Sequence, residues 1–117
     1  MRNFKNLQVW QLSHQMTLEI YRITKRFPSN ERYEIVRQMK RCAHSIPANI
    51  SEGCGRKSDK DFNRFLQIAL GSAHELEYFI LLSKDLNLID YATYSILDEN
   101  INTLKKRIYT LSQKLIT

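Results

Sequence analysis

Three glycines and two prolines in 117 residues are too few turn formers for the many short connections of a β-sandwich or barrel. Long apolar runs are missing as well. No stretch nears the roughly 18 to 20 residues that span a bilayer, and the opening Met1 to Leu7 has no apolar signal core, so a cytoplasmic protein without membrane contact is expected. Cysteine is scarce, and Cys42 and Cys54, in a chain without an export signal, read as two reduced thiols. No glutamate is followed by histidine at the third position, the spacing that carries a di-iron site on a helix. Cys42 and His44, two apart, diverge on a helix, which argues against zinc. No Gly-x-Ser-x-Gly elbow occurs, and His14, His44 and His74 fall on separate segments. The expectation is a protein that is not an enzyme and needs no metal or cofactor.

What is present is ordinary globular composition, 43% hydrophobic and 26% charged, in a length that suits one domain over residues 1–117. The hydrophobic residues recur at helical spacing. Val9, Leu12, Met16, Ile20, Ile23 and Phe27 mark a first helix, ended by the turn Phe27-Pro28-Ser29-Asn30. Val36, Met39, Ala43, Ile46 and Ile50 mark a second, from near Ser29 to Gly53. Pro47 sits inside it and cannot continue the hydrogen-bond ladder, which predicts a kink or a break near His44-Ser45-Ile46. A third helix spans about 59–86, with Ser58 as N-cap and a capping box to Asp61. After the short connection 87–90, Asp90 caps a fourth, whose seam runs Tyr94, Leu97, Ile101, Leu104, Ile108, Leu111 and Leu115. Brief joints make antiparallel neighbours, so the fold class is all-α, an up-down-up-down four-helix bundle.

Small residues raise a packing question. Gly71 weakens a helix by about 1 kcal/mol relative to Ala, and its setting, Ala69-Leu70-Gly71-Ser72-Ala73, predicts a close approach to the second helix. Asn49, Glu52 and Glu75 would share hydrogen bonds near that contact. Gly53 reads as a C-cap.

Charge carries the functional content. The net charge is +6, and residues 1–57 hold 11 Lys/Arg against 4 Asp/Glu while residues 58–117 hold 7 against 8. Arg37, Lys40, Arg41 and His44 form a basic strip on the second helix, away from Met39, Ala43 and Ile46. Arg56, Lys57, Lys60 and Arg64 surround the start of the third, where the helix N-terminus favours anions although Asp59 and Asp61 weaken the effect. The candidate nucleic-acid-binding residues are therefore Arg37, Lys40, Arg41, Arg56, Lys57, Lys60 and Arg64, acting on the phosphates of RNA or DNA. The plain alternative is a solvated basic face on a protein-interaction scaffold.

Ser45-Ile46-Pro47-Ala48-Asn49-Ile50-Ser51-Glu52-Gly53, Gly55-Arg56, Phe62-x-Arg64-Phe65-Leu66 and Ala69-x-Gly71-Ser72-Ala73-x-Glu75-Leu76-Glu77 form a long, specific pattern. Leu7-x-Val9-Trp10, Phe27-Pro28-x-x-Glu31 and Gln38-x-x-Arg41 extend it over most of the chain. It resembles the four-helix-bundle proteins encoded in 23S rRNA intervening sequences, also called the S23 ribosomal protein family. Ser45, Pro47, Asn49, Glu52, Gly53, Gly71, Ser72 and Glu75 are the structural residues of the shared motif, and Cys54 stands where an aromatic is common in the family. The resemblance implies a bacterial homopentamer without a defined activity. A related branch, the accessory variability determinant of diversity-generating retroelements, implies a possible reverse-transcriptase partner.

Overall fold

The structure is a computed structural model that describes residues 2–28 and 33–116. A single 3-10 turn, Phe4–Asn6, leads into four helices: α1 (Gln8–Thr24), α2 (Tyr33–Cys54), α3 (Asp59–Asp85) and α4 (Tyr91–Ile116). The bundle measures 44 × 22 × 20 Å. α2 packs between α1 and α3, α4 packs on α3, and α4 closes the ring against α1 along a looser seam. The turn after Phe27 and the start of α2 at Ser29 lie outside the described residues, as does Glu31.

Each helix buries the stripe its periodicity marks. Met16, Ile20, Met39, Ile46, Ile50, Leu66, Leu76, Ile80, Ile101, Leu104 and Ile108 meet in one core. The caps are local chemistry. Ser58 Oγ accepts from the Asp61 N–H at 3.1 Å and opens α3. Asp90 Oδ1 accepts from the Thr93 N–H at 2.8 Å, and the Thr93 hydroxyl together with this N–H holds the Asp90 carboxyl below its ordinary range. α3 closes with Asn87 in the left-handed region, φ 61°, while Leu88 N–H donates to Ser83 C=O and Asn87 N–H to Lys84 C=O. This double closure lets the chain reverse within five residues, with Asn tolerating a conformation that most side chains avoid.

α2 is continuous through Pro47, so of the two expected outcomes, a kink or a break near His44-Ser45-Ile46, the break does not occur. Pro47 has no N–H to give the Ala43 carbonyl four residues back. Thr17 Oγ1, from α1, donates to that carbonyl at 3.1 Å, its proton shared with Ser13 C=O at 2.8 Å. A neighbouring helix thus supplies the donor that the proline removed.

The two helical glycines exchange the roles read from sequence. Gly53 lies within α2 and does not cap it; the chain turns at Gly55 and Arg56, whose N–H groups reach Glu52 and Gly53 C=O. A Cβ at Gly53 would lie 2.8 Å from Phe62 Cδ1 and 2.9 Å from Phe65 Cβ, so the close approach of α2 and α3 happens here. At Gly71 a Cβ would meet nothing within 4 Å, and the residue is exposed on α3. The tight packing of that segment comes from Ala69 and Ala73, both fully buried. Gly71→Ala is expected to stabilise by about 0.5 to 1 kcal/mol through helix propensity. The same change at Gly53 is expected to lose about 1 kcal/mol net, because overpacking outweighs that gain. Urea midpoints moving in the same direction for both variants would contradict this assignment.

Candidate nucleic-acid interface

The two basic groups read from the sequence lie at different levels of the bundle. On α2, Arg37 is exposed and bonded to Glu34 one turn back, Nη2 to Oε1 at 3.1 Å. The Gln38 amide and Arg37 together hold the Glu34 carboxyl below its ordinary range. Arg41 reaches across to α3, Nη2 to Glu75 Oε2 at 2.7 Å, and gives Nε to Gln38. Lys40 has no carboxylate partner among the described residues and rests its Nζ 5.0 Å from the centre of the Tyr21 ring. Two of the three strip cations are therefore already neutralised.

At the α2–α3 turn the pattern is similar for the arginines and different for the lysines. Arg56 lies 4.0 Å from Glu52, and Arg64 lies 3.7 Å from Asp61. Both guanidiniums sit on the Phe65 ring, at 4.8 and 4.6 Å from its centroid, so an aromatic floor orders them. Lys57 and Lys60 are exposed and pair with no carboxylate among the described residues. Exposed ion pairs contribute little to stability, but they lower the free charge offered to a polyanion.

The sequence pattern missed Arg2. Its N–H donates to Cys54 C=O at 3.2 Å, its guanidinium pairs with Asp59 at 2.5 Å, and its Cζ stands 4.4 Å over Phe62. The start of the chain is thereby strapped over the α2–α3 turn. Nothing periodic marks it; an isolated arginine ahead of the first helix was the sole signal. Arg2 also consumes Asp59, one of the two acids that sequence reading set against anion binding at this turn.

The motif residues make a smaller network than expected. Ser45 and Ser72 hydroxyls meet at 2.9 Å between α2 and α3, and Asn49 Nδ2 donates to Ser45 C=O at 2.8 Å and to Ser45 Oγ at 3.0 Å. Glu52 and Glu75 do not join it. Their carboxylates turn outward to Arg56 and Arg41, because a buried carboxylate needs a charged partner that this small-residue contact does not hold. Between α3 and α4 the better-shielded pair is Lys105 and Glu77, 2.5 Å apart, and the Lys105 hydrogen bond holds the Glu77 carboxyl below its ordinary range.

Cys42 and Cys54 are free and buried. Burial pushes the Cys42 thiol up to about 12 and the Cys54 thiol upward too, so neither supplies a thiolate near neutral pH. His14 stacks on Trp10, with centroids 4.9 Å apart and planes 10° apart. Two clefts open along the looser α1–α4 seam. One of about 360 Å³ is lined by Leu12, Met16, Glu19 and Ile96; one of about 310 Å³ is lined by Leu7, Val9, Arg107, Leu111 and Lys114. Neither gathers a nucleophile and a base. Among the described residues no helix is long and apolar enough to cross a membrane.

The family of 23S rRNA-intervening sequence proteins matches residues 5–110. The chain belongs to that family. A crystal structure of a protein of unknown function from the S23 ribosomal protein family of Bacteroides thetaiotaomicron VPI-5482 superposes with a TM-score of 0.81 at 29% identity, covering 89% of this chain and 97% of that one. No curated protein matches. The span matched to the intervening-sequence family takes in both basic groups and the Ser45–Asn49–Ser72 network, while Arg2 and Lys114 fall outside it.

Proposed function

We propose that this intervening-sequence protein is a non-enzymatic, basic homo-oligomer that binds RNA or DNA through phosphate contacts. The observation that carries the reading is the α2–α3 turn. Lys57 and Lys60 stand exposed and, among the described residues, unpaired beside Arg56 and Arg64, which Phe65 holds in place, and the local acids Glu52, Asp59 and Asp61 are each taken by an arginine. Side chains of this kind reach phosphates and bring no base-reading geometry, so binding is expected to show little sequence preference. A bacterial homopentamer is what the family resemblance implies, and exposed Ile68, Tyr78 and Leu81 on α3 with Leu18 and Tyr21 on α1 offer apolar surface for contacts between copies.

Titration of labelled RNA with the wild-type protein is expected to show affinity falling steeply with salt, with a log-log slope of roughly −0.7 to −0.9 per phosphate contact. The same exposed apolar residues favour a second reading, a scaffold or accessory subunit, for example of a reverse transcriptase, that meets a protein and no nucleic acid. Absence of RNA and DNA binding at about 50 mM salt would remove the first reading in favour of the second.

A further inference from the structure

In sequence the excess positive charge belongs to the first half of the chain. Folding redistributes it along the bundle axis. Contacts of Arg2 with Cys54 and Asp59, of Ser112 with Asn63 and Gln67, and of Arg107 with Gln8 bring the chain start, the α2–α3 turn and the end of α4 to one pole. Contacts of Ser83 with Met39 and of Lys84 with Tyr94 define the other. Divided at the middle of each helix, the first half of the molecule, residues 2–16, 44–72 and 104–116, holds 10 Lys/Arg against 3 Asp/Glu. The described residues of the second half hold 7 against 8.

Ion pairing sharpens the contrast. All three acids of the basic half, Glu52, Asp59 and Asp61, are paired. Six of its exposed cations, Lys5, Lys57, Lys60, Lys106, Arg107 and Lys114, have no carboxylate partner among the described residues. In the opposite half Lys25, Arg26 and Lys40, without a carboxylate partner among the described residues, are matched by Asp90, Asp98 and Glu99, which pair with no cation among those residues. Among the described residues the uncompensated charge lies in one half of the bundle's length.

We infer that the protein meets nucleic acid end-on, through this pole, with Lys106, Arg107 and Lys114 of α4 completing a surface that Lys5, Lys57 and Lys60 begin. This rests on the nucleic-acid reading above and moves its centre away from the α2 strip, where Arg37 and Arg41 are consumed by Glu34 and Glu75. The 22 × 20 Å cross-section spans about six nucleotides of one strand at a rise of ~3.4 Å. An anionic membrane fits less well. Of eleven large apolar side chains exposed among the described residues, Ile68, Tyr109 and Ile116 are the ones in the basic half, on two separate helices, and they form no apolar face to insert.

The test uses three variants of the full chain and a fluorescein-labelled RNA hairpin of mixed sequence, titrated from about 50 to 200 mM salt. Lys106, Arg107 and Lys114 changed to Gln is expected to weaken binding by about tenfold or more at low salt and to flatten the log-log slope by about 2 to 3. Lys5, Lys57 and Lys60 changed to Gln, on different elements, is expected to do the same, so that local damage to α4 cannot account for both. Lys25, Arg26 and Lys84 changed to Gln removes equal charge from the opposite half and is expected to leave affinity within about twofold. Equal weakening by all three variants would mean that net charge alone drives binding and would overturn the end-on surface. So would wild-type binding that the α4 variant leaves intact, with the nucleic-acid reading still standing. A wild-type protein that ignores the hairpin but binds phosphatidylserine vesicles would overturn both.

Discussion

Replacing Phe62 by Ala is expected to destabilise the fold by about 3 to 5 kcal/mol, the range for emptying a fully buried aromatic site. The ring has no solvent exposure. On one side its Cδ1 lies against the backbone of Gly53, where a Cβ would approach to 2.8 Å. On another it carries the Arg2 guanidinium at 4.4 Å. Neither neighbour can fill the void, since Gly53 has no side chain and Arg2 is held by Asp59 and by the Cys54 carbonyl. The urea midpoint measures the loss, and Phe62→Leu, which keeps most of the volume, is expected to cost under about 1.5 kcal/mol. A Phe62→Ala midpoint within error of wild type would mean that the α2–α3 contact is not closed around this ring.

Thr17→Val is expected to cost about 1 to 3 kcal/mol, because the isosteric methyl leaves the Ala43 carbonyl buried without a donor. The effect depends on Pro47. In a Pro47→Ala background the restored backbone N–H reaches the same carbonyl, so the Thr17→Val loss is expected to shrink. The difference between backgrounds is a coupling energy of about 1 kcal/mol in a double-mutant cycle. Additive losses would show that Thr17 stabilises through its bond to Ser13 and not by answering the proline.

The regular elements were legible because they depend on neighbours in sequence. The stripe from Leu97 to Ile108 is buried as its spacing foretells, and Ser58 and Asp90 cap helices through bonds to residues three positions on. The errors fall where a residue answers a distant partner. Gly71 looked like a close-approach residue from its small neighbours, yet Ala69 and Ala73 are the buried small residues of that segment and Gly71 faces out. Gly53 looked like a helix end because glycine commonly ends helices, yet its missing Cβ makes room for Phe62 and Phe65. The basic residues on α2 and at the α2–α3 turn are on the surface, as their spacing required, but spacing carries no information on whether a carboxylate from another helix has claimed them.

Helix number, the caps at Ser58 and Asp90 and the apolar stripes were set by the amino-acid sequence alone, since each rests on backbone hydrogen bonds and side chains within a turn or two along the chain. Only the tertiary structure decided how Pro47 is tolerated, which glycine is essential to packing and that Arg41 and Asp59 are claimed by partners on other elements. Those outcomes depend on partners 26 residues apart for Thr17 and Ala43, 34 for Arg41 and Glu75, 57 for Arg2 and Asp59, and 99 for Arg107 and Gln8. Antiparallel packing brings such pairs to one level of the bundle, and in doing so it converts a charge excess in the first half of the sequence into a charge excess at one end of the molecule.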